Sequence, residues 1–287
     1  MPLLDGLIKS IENPARSEQF DIGLLDFGLS DEERGAYQRR GILLVTPGWD
    51  YDPSLFRTPP KDFFKGMTTR PHLRKHFPGY DYYVWMDADT WVQDWSGIKL
   101  YLSSAETHGL AATPEVDRSY SPVYGNFSVA SWRHNCFVRC FNAQVASQLA
   151  LFPIVNGGVF AARADAPHWE LWANVLGQIF ADKREAFFFA DQTAFNAVIR
   201  RRGIRTALLP ATCNWMCNRA LPTCSDDGIE LREPHPPFQR ISVVHLTSNT
   251  KNGVWPLPTA SGVRSRSLRF GGHDPAQAGP DVVLPEV

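Results

Sequence analysis

Tyr82-Tyr83-Val84-Trp85-Met86-Asp87-Ala88-Asp89-Thr90-Trp91-Val92 is the stretch whose reading decides the fold. Five bulky apolar or aromatic residues run directly into two aspartates one residue apart. A continuous apolar run of this length, bounded by Pro78-Gly79, predicts a strand buried on both faces. Ionised carboxylates beside a core are costly unless they are paired or bound to a cation. In an open parallel sheet, ligands sit beyond the carboxyl ends of the strands, which is where Asp87 and Asp89 fall. Ala88 between them is small and leaves the approach open.

In an extended chain, residues two apart point to the same side. Asp87 and Asp89 can therefore address one hard cation, Mg²⁺ or Mn²⁺, with phosphate oxygens and water completing its shell. The competing reading is a plain strand-end turn, where Asp is common.

A chain of 287 residues accommodates one large α/β domain or two small ones. With 29 basic and 30 acidic residues, no global field argues for a nucleic-acid partner. No run of about 18 apolar residues is present, so no membrane span is expected. The N-terminus lacks a basic segment followed by an apolar core, so a secretory leader is not expected. Five cysteines, an odd number in a long chain, suit reduced thiols in a cytoplasmic protein better than a disulfide framework. Cys136 and Cys140, with His134 nearby, and the later Cys213, Cys217 and Cys224 lack the Cys-x-x-Cys spacing of a structural zinc site.

Leu3, Leu4, Leu7, Ile8 and Ile11 share one helical face and predict an opening amphipathic helix. A buried strand is expected over 20–27, a helix from Ser30 with Glu33 completing its capping box, and a strand over 42–45. This rhythm predicts an α/β doubly wound, mostly parallel sheet with helices on both faces. Further helices are expected over 69–76, 98–107, 136–150, 167–180 and 193–201. Strands are expected over 109–113, 152–160, 204–209 and 241–245. Residues 117–135 read as an irregular aromatic wall. In Asn156-Gly157-Gly158 the double glycine marks a bulge or a close approach by a ligand. Asp191-Gln192 precedes a helix that either residue is placed to cap, and the last strand ends in His245. The folded domain is expected over 1–255. A Pro-, Gly-, Ser- and Arg-rich tail with little structure is expected over 256–287.

Taken in this order and spacing, the apolar strand into Asp-Ala-Asp, the Asn-Gly-Gly strand, the Asp-Gln before a helix and the strand ending in His resemble the retaining glycosyltransferases of family 8. The resemblance covers roughly residues 3–253. It implies the GT-A fold, a doubly wound Rossmann-like sheet with a small C-terminal antiparallel portion. It also implies metal ligands Asp87, Asp89 and His245, and nucleotide-sugar contacts from Arg70, Asp87, Ala88, Asp89, Asn156, Gly157 and Lys251. Asp191 and Gln192 match the pair beside the reacting carbon. The family's C-terminal signature is His, two residues, Gly, two residues, Lys, often followed by Pro-Trp. Here His245 and Lys251 match, Ser248 stands where the family has Gly, and Asn252-Gly253 replace Pro-Trp. The family also has a strand ahead of its first helix, which this sequence does not contain. Weaker nucleotide binding and an exposed sheet edge are expected in consequence.

The implied reaction moves a hexose from a nucleoside diphosphate sugar, first a UDP-sugar, to a carbohydrate, lipid or protein acceptor, with retention. A divalent cation would neutralise the departing diphosphate, Arg70 and Lys251 would add fixed charge, and Gln192 would orient the sugar or steady charge at the anomeric carbon. Two other classes compete: a sugar-nucleotide-binding protein impaired in catalysis, and a metal-dependent phosphohydrolase, which would want more carboxylates for a second metal. The basic run Arg264 to Phe270 is a candidate contact with an anionic membrane surface, although three arginines are few for that purpose.

Overall fold

The computed structural model describes residues 2–120, 126–201 and 203–272. The strands in chain order are β1 (Gly23–Leu25), β2 (Leu43–Val45), β3 (Tyr82–Met86), β4 (Thr90–Val92), β5 (Leu110–Pro114), β6 (Val155–Arg163), β7 (Thr206–Leu208), β8 (Trp215–Met216), β9 (Thr223–Cys224), β10 (Leu231–Arg232), β11 (Val243–His245), β12 (Trp255–Thr259) and β13 (Gly262–Arg266). The helices are α1 (Pro2–Ser17), α2 (Asp31–Arg39), α3 (Lys65–Thr68), α4 (Leu73–His76), α5 (Trp95–His108), α6 (Phe127–Cys140), α7 (Ala143–Leu149), α8 (His168–Lys183) and α9 (Ala190–Ile199). Ser30 caps α2 with Glu33 in a reciprocal capping box, as its sequence predicts.

The central sheet has the order β3-β6-β5-β7. Along β6, Phe160 and Ala162 face one side and Val159 and Ala161 the other. The first face packs on Trp169, Trp172 and Leu176 of α8 and on Phe195 and Val198 of α9. The second packs on Ile98, Tyr101 and Ala105 of α5. Small residues at 161 and 162 let helices close down on both faces, so β6, and not β3, is the strand buried on both sides. The aromatic run of β3 is mostly half-buried, with only Tyr83 fully buried, because it pairs with β6 alone.

The sheet is α/β as expected, but its pairing is more mixed than a doubly wound parallel sheet. β6 runs antiparallel to both β3 and β5, while β5–β7 and β1–β2 are parallel. This direction has a consequence for the site: the start of β6 meets the end of β3, with Met86 opposite Val159 and the Asp87 N–H donating to the Gly158 carbonyl at 2.8 Å. A second, three-stranded sheet, β4-β11-β8, brings the end of β11 beside the Asp-Ala-Asp turn, His245 pairing with Thr90.

In the β3–β6 ladder residues 81, 83, 85 and 87 turn their backbone groups towards β6, so those of Tyr82, Val84 and Met86 face away. That outer edge, together with β1 and the apolar face of α1, borders a cleft of about 1300 Å³ that continues to Asp87 and Asp89. Among the described strands β3 is thus an edge strand of the central sheet.

Several boundaries differ from expectation. The helix expected over 136–150 is two helices, α6 and α7, broken at Phe141-Asn142, where Asn142 caps α7 through the Val145 N–H. α6 begins at Phe127, inside the expected irregular wall; residues 121–125 of that wall lie outside the described residues. The expected tail is folded as far as Gly272. β12 and β13 form a hairpin, and Leu268 and Phe270 close over Trp91. Pro256 and Pro258 fall at the non-hydrogen-bonded positions of the β12–β13 register, so their missing N–H groups spare the ladder. Residues 273–287 lie outside the described residues. Arg266 is buried, donating to the Gly228 and Ile229 carbonyls, and Arg269 donates to the Lys251 carbonyl at 2.8 Å. Arg266 and Arg269 thus serve the fold, while Arg264 of the same run is exposed and donates to the Asp226 carbonyl at 2.6 Å. No helix among the described residues is long and apolar enough to cross a membrane. All five cysteines are buried free thiols, and burial pushes Cys136 up to about 11 and Cys140 up to about 12.

Candidate active site

The Asp-Ala-Asp turn is closed by Thr90, whose N–H and hydroxyl both donate to the Asp87 carbonyl, at 2.9 and 2.7 Å. The Leu246 N–H donates to the Asp89 carbonyl at 2.8 Å and ties the turn to the end of β11. In consequence Asp87, Asp89 and His245 each offer a ligand atom, all within 4.8 Å of one another. It is the only such group of three or more among the described residues. His245 Nε2 lies 3.4 Å from Asp89 Oδ1. Two carboxylates and an imidazole suit a divalent cation that also takes phosphate oxygens.

Gly158 is the residue that lets these groups meet. A Cβ there would stand 2.5 Å from His245 Cε1 and 2.9 Å from Asp87 Oδ2. The neighbouring Gly157, singled out from the sequence, would meet only Gln192 Oε1 at 3.9 Å. The glycine that the site requires is therefore the second of the pair, and the sequence reading named the first.

Each carboxylate has its own basic partner. Asp87 Oδ1 accepts from Arg70 Nη2 and from the Trp85 indole N–H, both at 2.7 Å. Arg70 Nη1 bonds the Asp191 carboxylate, and its guanidinium lies over the Trp85 ring at 5.3 Å. Asp191 does not cap α9. It sits inside the first turn, buried, and turns its side chain onto Arg70. Burial drives the Asp191 carboxyl up; Arg70 opposes this without overcoming it. For Arg70 itself, burial pulls down, but Asp87 and Asp191 outweigh it and keep the guanidinium charged. On the other side Asp89 Oδ2 accepts from Lys251 at 2.7 Å. Burial raises the Asp89 carboxyl, but His245 and Lys251 prevail and hold it below the usual carboxylate range.

Lys251 ends a short 3₁₀ turn, Ser248–Lys251, held from behind by Arg269. Ser248, where the resembling family has Gly, adopts a left-handed φ of 55°. That conformation costs a non-glycine residue roughly 1 kcal/mol, which gives the family's glycine its physical reason. Ala88 lines the cleft without side-chain chemistry. Gln192 Oε1 accepts the Gly157 N–H at 3.1 Å, so its amide nitrogen is the end left for a ligand.

Asn156 is placed differently from a simple sugar contact. Its Oδ1 accepts from the Gly158 N–H at 2.9 Å and from Asn214 Nδ2 at 3.0 Å, and its Nδ2 donates to Glu115 at 3.3 Å. Arg219 pairs with the same Glu115 at 2.7 Å. Glu115 and Asn214 escaped the sequence reading, and Gly158 entered it only within the double glycine and not among the implied contacts. Of these, only Gly158 left a signal, as one half of a double glycine inside a strand.

The chain has an α/β fold of the GT-A type. No protein-family profile matches the sequence, and no curated protein matches it significantly. Solved structures do match. The galactosyltransferase LgtC in complex with donor and acceptor sugar analogues aligns over 87% of this chain and 84% of its own, with a TM-score of 0.51 and 14% identity. An active-site glutamine-to-glutamate variant of LgtC aligns over 86% and 83%, with a TM-score of 0.53 and 14% identity. The bifunctional glycosyltransferase WbbM aligns over 88% of this chain and 45% of its own, with a TM-score of 0.50 and 13% identity. At these identities the likeness is one of fold.

Proposed function

We propose that this chain is a metal-dependent hexosyltransferase that takes a sugar from a nucleoside diphosphate sugar, a UDP-sugar in the first instance, and passes it to a carbohydrate acceptor with retention. The observation that carries the reading is the convergence of Asp87, Asp89 and His245, from two different sheets, at one end of a large cleft. A cradle that no side chain larger than hydrogen at Gly158 would permit also fits a bound ion. Asp87, Asp89 and His245 would hold Mn²⁺ or Mg²⁺, whose part is to neutralise charge on a diphosphate leaving group.

The chain's own residues supply the rest. Lys251, half-exposed on its turn, can leave Asp89 for a diphosphate oxygen without crossing a core. Arg70 is fixed by two carboxylates and adds positive charge that needs no rearrangement during reaction. Gln192 donates its amide N–H to a sugar hydroxyl, since its oxygen is committed to Gly157. Asp191 is held by Arg70 and orients it. LgtC, with its active-site glutamine and bound sugar analogues, shares the fold in which these roles are proposed.

Incubation with Mn²⁺ and a panel of UDP-sugars, with released UDP measured, tests the reading. Release that disappears in both Asp87→Asn and Asp89→Asn supports it. Binding of UDP-sugar without any release would leave a sugar-nucleotide-binding protein, and phosphate release from simple esters would make it a hydrolase.

A further inference from the structure

We infer that Asn214 is a positioning residue that fixes the tautomer and orientation of His245, through a hydrogen-bond relay in which donation runs from His245 to Asn214, to Asn156 and to the carboxylate of Glu115, with the Gly158 N–H fixing the Asn156 amide. Its purpose rests on the reading of Asp87, Asp89 and His245 as cation ligands; its geometry does not.

The direction follows from the two ends of the relay. A backbone N–H can only donate, so the atom of Asn156 that meets the Gly158 N–H at 2.9 Å is its oxygen. Its nitrogen then faces Glu115 at 3.3 Å, where an ionised carboxylate can only accept. Both ends agree, and the Asn156 amide has one allowed orientation. That oxygen also meets an Asn214 amide atom at 3.0 Å, which must be the donating nitrogen. The Asn214 oxygen is therefore the atom 2.9 Å from His245 Nδ1, and a carbonyl oxygen can only accept. Nδ1 must carry the proton. Nε2, on the far side of the ring and 3.4 Å from Asp89, is left with the lone pair that a cation needs.

The fold supports this with little freedom. Asn214 is buried between the 3₁₀ turn Ala211–Cys213 and β8, and β8 pairs with β11 so that Trp215 lies opposite Val244 and Met216 opposite His245. Its amide has no solvent to exchange partners with. Partners of this kind on metal-bound histidines typically change metal affinity about 10–100-fold when removed.

The test is ¹⁵N NMR of the His245 ring in metal-free protein at pH 9, with Mn²⁺ affinity measured in parallel by electron paramagnetic resonance. Wild type is expected to show the Nδ1–H tautomer. Asn214→Ala should show a mixture of tautomers and a Mn²⁺ affinity about 10–100-fold weaker. Asn214→Asp keeps an acceptor for Nδ1–H and should retain the wild-type tautomer even though it loses the donor to Asn156. That split between two variants is one that a general loss of packing would not produce. An Nε2–H tautomer in wild type would overturn the inference, as would an Asn214→Ala protein with unchanged tautomer and affinity. If wild type shows the Nδ1–H tautomer, Asn214→Ala loses it, and no protein binds Mn²⁺, the relay stands and the cation reading falls.

Discussion

Asp87 and Asp89 are two residues apart in one turn, yet they belong to unlike surroundings. Asp87 faces inward, onto an arginine only 6% exposed that is shared with the buried Asp191. Asp89 faces a lysine whose side chain is 40% exposed and whose turn sits at the rim. Both carboxylates are paired, but the two pairs do different work. On the inward side Arg70 and Asp191 are out of water while Asp87 is half-buried, so removing Arg70 strands a buried carboxylate. On the outer side a flexible ammonium can exchange one anion for another at little cost. The proposed transfer, which would hold a sugar in one pose and release a diphosphate, would use a site divided in this way.

The contrast can be broken most directly at Arg70. Arg70→Met leaves Asp191 buried without a counter-charge, and urea denaturation should show a loss of about 3–5 kcal/mol. Arg70→Met combined with Asp191→Asn should recover part of it; no recovery would mean that Arg70 acts through packing on Trp85 instead. A smaller effect comes from a buried ionisable group away from both pairs. His168 donates or accepts at Thr206, 2.9 Å away, and burial lowers it from 6.5 to about 4. Between those two values the unfolded chain binds a proton that the folded one refuses, so stability falls as pH falls from about 6.5 to about 4. The loss should reach up to about 3 kcal/mol, and His168→Gln should flatten that part of the pH–stability curve.

Gly158 is where the inward and outer sides touch. Gly158→Ala should cost about 1–3 kcal/mol by overpacking and weaken Mn²⁺ binding with it, as read by thermal melts and titration. Stability unchanged with Mn²⁺ binding intact would show that Asp87 and His245 can separate, against the geometry described. The smallest expected effect is at the rim. Lys251→Ala should change stability by less than about 1 kcal/mol, while UDP binding measured by calorimetry weakens clearly. If it unfolds the protein as Arg70→Met does, the division between the two sides fails.

The grouping of Asp87, Asp89 and His245 in this candidate site was legible in the sequence because these residues end apolar strands. Asp87 and Asp89 follow Tyr82–Met86, and His245 follows Val243 and Val244, so each stands out as a polar group where burial is expected. The direction of β6 was not legible. Val155–Arg163 reads equally well either way, and only pairing with β3 and β5 reveals that its start lies at the ligand end. The hairpin Trp255–Arg266 was hidden by prolines that break most strands but not an edge strand with alternating contacts. Asn214 and Glu115 left no trace, since a relay of amides is defined by three-dimensional approach and has no spacing of its own. The arginine pair of Asp191 was masked by the ordinary habit of Asp at helix starts.

The most direct test is a crystal of the protein grown with Mn²⁺ and UDP, examined by anomalous scattering at the manganese edge. One peak within bonding distance of Asp87, Asp89 and His245 Nε2, with diphosphate oxygens and the Lys251 ammonium beside it, is the predicted result. A manganese peak elsewhere, or nucleotide bound with His245 turned away from both aspartates, would contradict the account.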